Sequence, residues 1–218
     1  MARRALKRAG LTGLFAFGAL LPMLLPCLAQ AREWQFAVYL DDDLIGTHRF
    51  TLTEQGDSRL VSSEARFSVK LLSFEIYRYQ HQASEVWRGD CLERLTARTD
   101  DNGTVTEVDA RSEGPSVRVK RTGGSELVSG CLRSYAYWNP RLLVAPRLIN
   151  AQDGVIADVS FVMIGADTIR SRGQNVPARR HQLKTPKLAI DLWYDATGEW
   201  LALESTTASG RRVRYRLE

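Results

Sequence analysis

From Trp34 to the last residues of the chain, apolar and polar side chains alternate with a period of two. A helix would bring apolar residues back roughly every 3.6 positions, whereas a half-buried strand places every second side chain on one face. Trp34, Phe36, Val38 and Leu40 alternate with Gln35, Ala37 and Tyr39, and Asp41-Asp42-Asp43 then turns the chain. Leu44, His48, Phe50 and Leu52 are expected on the next apolar face, opposite Ile45, Thr47, Arg49 and Thr51. After a turn at Gln55–Ser58, Val61, Ala65, Phe67, Val69 and Leu71 oppose Ser62, Glu64, Arg66, Ser68 and Lys70. Phe74 to Trp87 is a long β-rich run, and Cys91 to Thr99 ends at Asp100-Asp101-Asn102-Gly103, a strong hairpin signal. Thr104–Ala110 and Ser116–Arg121 are thinner and more polar, which suits edge strands or a solvated hairpin.

The C-terminal half has the same pattern. Val155 to Gly165 reads as one strand with Val155, Ala157, Val159, Phe161 and Met163 on one face. Ala178–Thr185, Leu188–Asp195, Glu199–Thr206 and Arg211–Leu217 follow, and the last is expected to face Val213, Tyr215 and Leu217 inward with Arg212, Arg214 and Arg216 in water. The one break is residues 134–150, where Asn139 before Pro140 forms an N-cap followed by a proline at the first helical position. No linker or internal repeat divides the chain. The expectation is an all-β domain: one curved antiparallel sheet or incomplete barrel of about ten or eleven strands, with a short helical plug near residues 134–150.

Residues 1–31 stand outside this pattern. Arg3, Arg4, Lys7 and Arg8 precede an apolar run from Leu11 to Leu25, and Ala29-Gln30-Ala31 is a small-x-small cleavage site. This reads as an export signal cut after Ala31, leaving 32–218 as a single periplasmic domain. An uncleaved anchor is the alternative, but the run is short and broken by Pro22 and Pro26. Pro26 before Cys27 makes acylation of that cysteine unfavourable, and Arg3-Arg4 matches the twin-arginine pattern only in part. The leader holds four cations and no acid, so its removal takes the net charge from +5 to +1. The basic character therefore lends no support to nucleic-acid binding. Cys91 and Cys131 remain, an even count that in an exported chain reads as a disulfide, with two separate buried thiols as the alternative.

Several segments carry a resemblance: Glu85-Val86-Trp87, Cys91-Leu92, Thr99 to Gly103, Cys131, Tyr135 to Pro140, Leu192-Trp193-Tyr194 and Trp200 to Ser205. Over most of residues 34–217 the chain resembles a family of exported bacterial proteins described as a domain of unknown function. Its closing run of strands and short turns is also similar to periplasmic proteins built as curved half-barrels, among them the lipoprotein carriers. The first resemblance implies no activity and the second implies only a shape.

Within Phe74–Trp87, parity places Tyr77, Tyr79, His81, Glu85 and Trp87 on one face, either a binding-cleft wall or a cross-strand aromatic ladder. Tyr137 and Trp138, just after Cys131, either cap a ligand or plug the core. The candidate ligand-lining residues are therefore Tyr77, Tyr79, His81, Trp87, Tyr137 and Trp138. The three histidines, His48, His81 and His181, are not at metal-ligand spacing, and no metal or cofactor is expected. His48 lies on an apolar face and needs a hydrogen-bond partner there. GxSxG, SxxK and Walker patterns are absent, and Gly123-Gly124 sits in a polar turn. These readings favour a non-enzymatic, monomeric envelope protein that binds a lipid-like or other apolar molecule. A filled-core protein acting through an envelope protein partner is the alternative, and a hydrolase is the least supported reading.

Overall fold

The computed structural model describes residues 31–72 and 74–218, so the expected export signal, apart from Ala31, lies outside the described residues. Eight strands run as a meander: β1 Ala31–Leu40, β2 Asp43–Gln55, β3 Ser58–Leu71, β4 Phe74–Arg88, β5 Cys91–Asp101, β6 Thr104–Glu113, β7 Ser116–Arg121 and β8 Gly124–Ser129. A crossing segment follows, with β9 Arg133–Ser134, a 3-10 turn at Pro140–Val144, β10 Arg147–Ile149 and β11 Ile156–Asp158. A second meander then runs through β12 Ser160–Ser171, β13 Gln174–Lys184, β14 Ala189–Tyr194, β15 Trp200–Thr206 and β16 Arg212–Leu217.

The two meanders are one sheet, because β16 pairs with β1 in the register Phe36↔Leu217 to Leu40↔Val213. The result is a 13-stranded antiparallel sheet ordered β12-β13-β14-β15-β16-β1-β2-β3-β4-β5-β6-β7-β8, open between β12 and β8. The crossing segment joins those two edges, and its strands form a separate three-stranded sheet, β11-β10-β9. Leu132, Ala136, Trp138, Leu142, Ala145, Leu148 and Ile149 from this segment belong to the same core as Trp34, Phe36, Val38, Trp87, Leu92 and Leu95. The segment is thus a plug on one face of the sheet, and burial of each large side chain contributes about 1.5–3 kcal/mol. Asn139 caps the 3-10 turn as expected, its Oδ1 accepting from the Arg141 amide at 3.1 Å. Cys91 and Cys131 are disulfide-bonded, with Cα atoms 5.1 Å apart. In the chain-entropy picture a loop of this length contributes about 4 kcal/mol. Leu92 N–H donates to Leu132 O beside it, and Arg133 Nε donates to Asp90 O.

The described residues form sixteen strands, not ten or eleven. The run expected as one strand from Val155 to Gly165 is divided at Val159, whose amide donates to Pro146 O within the plug. The part beyond becomes β12 and continues to Ser171. Gly124–Ser129 pairs with β7 as an edge strand, with only Val128 buried, so it shows too little apolar alternation to be legible. Leu44 is 62% exposed, not inward. Ile45 is inserted between the pairs Val38↔Gly46 and Tyr39↔Leu44, and it reverses the side-chain parity and packs on the core itself. Arg214 and Arg216 do not stand in water either. Both are half-buried, they pair with Asp42 and Glu204, and they line a groove together with Arg170, Arg172 and Gly173.

Gly46 sits where β2 leaves β3. A Cβ built there would lie 1.9 Å from the Arg66 carbonyl oxygen, a backbone atom that cannot step aside. Gly165 has a similar φ of +150° but open space around it. Gly46→Ala is expected to cost more than about 2 kcal/mol and Gly165→Ala about 1 kcal/mol. Denaturant unfolding of the two variants measures the difference, and equal losses would contradict the close approach of β2 to β3.

Candidate binding crevice on the concave face

β4 carries the densest set of candidate residues because its alternation is uninterrupted: Tyr79, His81, Ala83, Glu85 and Trp87 are buried and Tyr77 is half-buried, while Gln80, Gln82 and Ser84 are exposed. The neighbouring strands add rings in register. Phe67 of β3 faces Tyr79 and stacks on it at 5.1 Å with planes 10° apart. His48 stacks on Phe50 at 4.1 Å and lies 6.4 Å from both Phe67 and His81. The β1–β16 junction brings in Phe36 and Tyr215, whose rings are 5.9 Å apart. Trp200 of β15 packs on Phe36 at 4.2 Å and on Tyr137 of the plug at 5.2 Å. A continuous band of rings thus runs from β4 across β3, β2, β1, β16 and β15 to the plug.

The structure divides the six sequence candidates between two ends of this band. Trp87 and Trp138 meet edge to face at 5.6 Å near the disulfide, with Arg59 over Trp138 at 5.0 Å. Trp87 Nε1 donates to the Glu85 carboxylate at 2.7 Å. Burial raises the Glu85 pKa, and this bond opposes the rise. The Ser134 hydroxyl acts in the same sense without reaching hydrogen-bond geometry. This end is filled, with Trp87 fully buried. Toward the other end Tyr77 is half-buried and Tyr79 and His81 are buried on β4. Tyr137 stands on the plug against Trp200, its carbonyl accepting from the Tyr194 hydroxyl at 2.9 Å. Around them His48, Phe50, Phe67, Tyr135, Tyr137 and Tyr215 are only half-buried although they stand on the concave face. That residual exposure marks this part of the concave face, between the sheet and the plug, as the candidate binding crevice.

His48, Phe50, Phe67 and Tyr215 were assigned inward faces by their alternation, but their meeting depends on strand order. No short-range signal brings positions 48 and 215 together. Two further grooves, of 710 Å³ and 730 Å³, lie elsewhere. The first crosses β4–β7 and takes in Gln82, Ser84, Arg98, Glu107 and Lys120, and the second lies between the β12–β13 turn and β16. None of the six candidates lines either groove.

The histidines and phenols of the candidate crevice are uncharged at neutral pH, and the Asp101 carboxyl group adjoins Tyr77 at its outer end. Burial lowers the His81 pKa to about 4 and holds His48 well below the ordinary imidazole value, with the neighbouring His81 adding to the effect on His48. Burial also raises the Tyr77, Tyr79, Tyr137 and Tyr215 phenols, so they remain protonated. His48 satisfies its nitrogens with Tyr215 Oη at 3.2 Å and Ser63 Oγ at 2.7 Å, and His81 Nδ1 pairs with Thr99 Oγ1 at 2.9 Å. The partner demanded by His48 on its apolar face is therefore present. The Ser63–His48 distance satisfies the first requirement for a nucleophile and base. However, His48 has lost its basicity to burial, and a phenol stands where a carboxylate would steady an imidazolium. Among the described residues no group of three His, Cys, Asp or Glu side chains could hold a metal ion.

Histidines buried as neutral bases bind fewer protons folded than unfolded. The stability they lend is complete above about pH 6.5 and is lost as pH falls toward 4, by about 3 kcal/mol for His81. Glu85, with a raised pKa, works in the opposite sense. His81→Gln should therefore flatten the decline in Tm between pH 6.5 and 4 while leaving the Glu85 contribution. An unchanged slope would contradict the burial assigned to His81.

The fold is similar to that of a beta-barrel-like protein of domain of unknown function DUF1849 from Brucella abortus, seen in a crystal structure. The identity is 11%, the match covers 88% of this chain and 96% of that one, and the TM-score is 0.61. At that identity the likeness shows the architecture alone. No curated protein matches the chain. Residues 36–218, from the middle of β1 through β16, match the family model described as domain of unknown function DUF6134, and the chain belongs to that family.

Proposed function

We propose that this chain is an exported, non-enzymatic binding module whose concave face takes an apolar or amphipathic molecule with a slender chain, such as an acyl group. The observation that carries this reading is the band of half-exposed rings, Phe50, Phe67, Tyr135, Tyr137 and Tyr215, on a face that is otherwise core. Rings offer apolar contact area with little loss of rotamer freedom, and neutral phenols at their tips can hydrogen-bond a polar head without excluding the tail. The leader-like pattern of residues 1–31 and the disulfide support the reading that the chain is exported to the periplasm.

A second reading has its own support. At the disulfide end Trp87, Trp138, Leu142, Leu148 and Ile149 leave no room, and a protein filled throughout would act through its outer surface on an envelope partner.

Native mass spectrometry of the protein from gently lysed cells is expected to show a co-purified lipid-like mass. The apolar dye N-phenyl-1-naphthylamine should brighten on binding and be displaced by palmitate. Phe67→Ala, which removes a half-exposed ring, should weaken dye binding roughly ten-fold, or about 1.4 kcal/mol. A bare protein mass together with no dye response would overturn the binding reading and leave the filled-core reading in place.

A further inference from the structure

β3 and β4 are the two longest strands of the sheet, at 14 and 15 residues, and their neighbours do not follow them to the end. β2 makes its last pair with β3 at Gly46↔Phe67, and β5 makes its last pair with β4 at Tyr79↔Asp101. Asn102 then caps the departure, its amide donating to Arg78 O at 2.8 Å. From Ser68 to Tyr77 the hairpin projects as a two-stranded ribbon with no laddered neighbour on either side. Ser68 Oγ donates across the ribbon to Glu75 at 2.7 Å. A two-stranded hairpin with nothing packed on it is marginal in water. This one nevertheless ends in apolar residues: Leu72 is 91% exposed, Phe74 75% and Ile76 55%, and Leu44 at the start of β2, 62% exposed, flanks its base.

The charges on this edge of the sheet are also unusual. Every ion pair among the described residues has arginine as its cation. The chain from residue 31 onward has four lysines, Lys70, Lys120, Lys184 and Lys187, all exposed and none in an ion pair with another described residue. Lys70, Lys120 and Lys184 end or nearly end β3, β7 and β13, and Lys187 lies in the β13–β14 turn. All four therefore stand on the side of the sheet opposite the disulfide, the side that also has the Leu72 tip, where the acids Asp41, Asp42, Asp43 and Asp100 are each paired with an arginine.

We propose that the β3–β4 ribbon is a docking finger for an anionic lipid surface, inserting Leu72, Phe74 and Ile76 at the headgroup boundary while the lysines meet the lipid phosphates. A narrow convex apolar tip suits a fluid lipid interface, and unpaired ammonium groups on flexible stems provide the matching charge. The root of the finger is Phe67 and Tyr79, so a docked finger brings the mouth of the aromatic crevice to the lipid. The docking does not depend on the crevice holding a ligand.

The test uses the 31–218 chain, which contains the whole sheet, its core and the disulfide. It should float with vesicles of mixed phosphatidylglycerol and phosphatidylcholine, float poorly with phosphatidylcholine alone, and release as salt rises. Leu72→Asp/Phe74→Asp should reduce the floated fraction at least about ten-fold with Tm and naphthylamine uptake unchanged, because the tip lies outside the core. A Phe74→Trp variant should be quenched by spin-labelled lipid. No flotation on the mixed vesicles would overturn the proposal. So would flotation unaffected by the tip substitutions, or a tip-dependent dimer without vesicle binding. Loss of dye uptake with flotation intact would count against the crevice and leave the finger standing.

Discussion

Phe36 faces Leu217 across the pairing of β1 with β16, the one place in the large sheet where neighbouring strands are not consecutive in the chain. Closing that contact means holding together two segments separated by nearly the whole domain, and it is repaid only when the strands join a shared core. Without it the chain would be an eight-stranded and a five-stranded meander, each with one more open edge. With it Tyr215 comes beside His48, Phe36 beside Trp200, and the rings of both meanders form one band. The band of rings is therefore a product of the junction between β1 and β16.

The plug complements that junction. An open sheet has two edge strands, and here the chain itself passes from one, β8, to the other, β12, across the concave face. The Cys91–Cys131 bond and the Leu92–Leu132 hydrogen bond hold the start of the crossing at one end of β5. Packing is tightest near that anchor, where Trp138 closes on Trp87, and looser away from it, where Tyr135 and Tyr137 leave neighbouring rings half-exposed.

Much of this was legible from alternation. β4 has its two faces as read, the two cysteines pair, and Asn139-Pro140 begins the 3-10 turn. The misplacements share a cause, since each depends on a partner rather than on the residue itself. Leu44 turned outward because Ile45 bulges against β1, and β8 exists because β7 offers its backbone to a polar segment. Arg214 and Arg216 are half-buried because they fold back onto partners on neighbouring elements, Asp42 in the β1–β2 turn and Glu204 on β15.

The sequence by itself determined an all-β chain and the inward residue on most strands, and it pointed to the Cys91–Cys131 pair that the structure joins, because period-two patterning and cysteine count are local or compositional properties. Tertiary structure alone decided strand order, the bulges, and the meeting of His48, Phe67 and Tyr215. It also decided which apolar residues would stand in solvent at Leu72, Phe74 and Ile76. Alternation says which side of a strand is apolar, but only the neighbouring strands determine what that side faces and where their support for a hairpin ends.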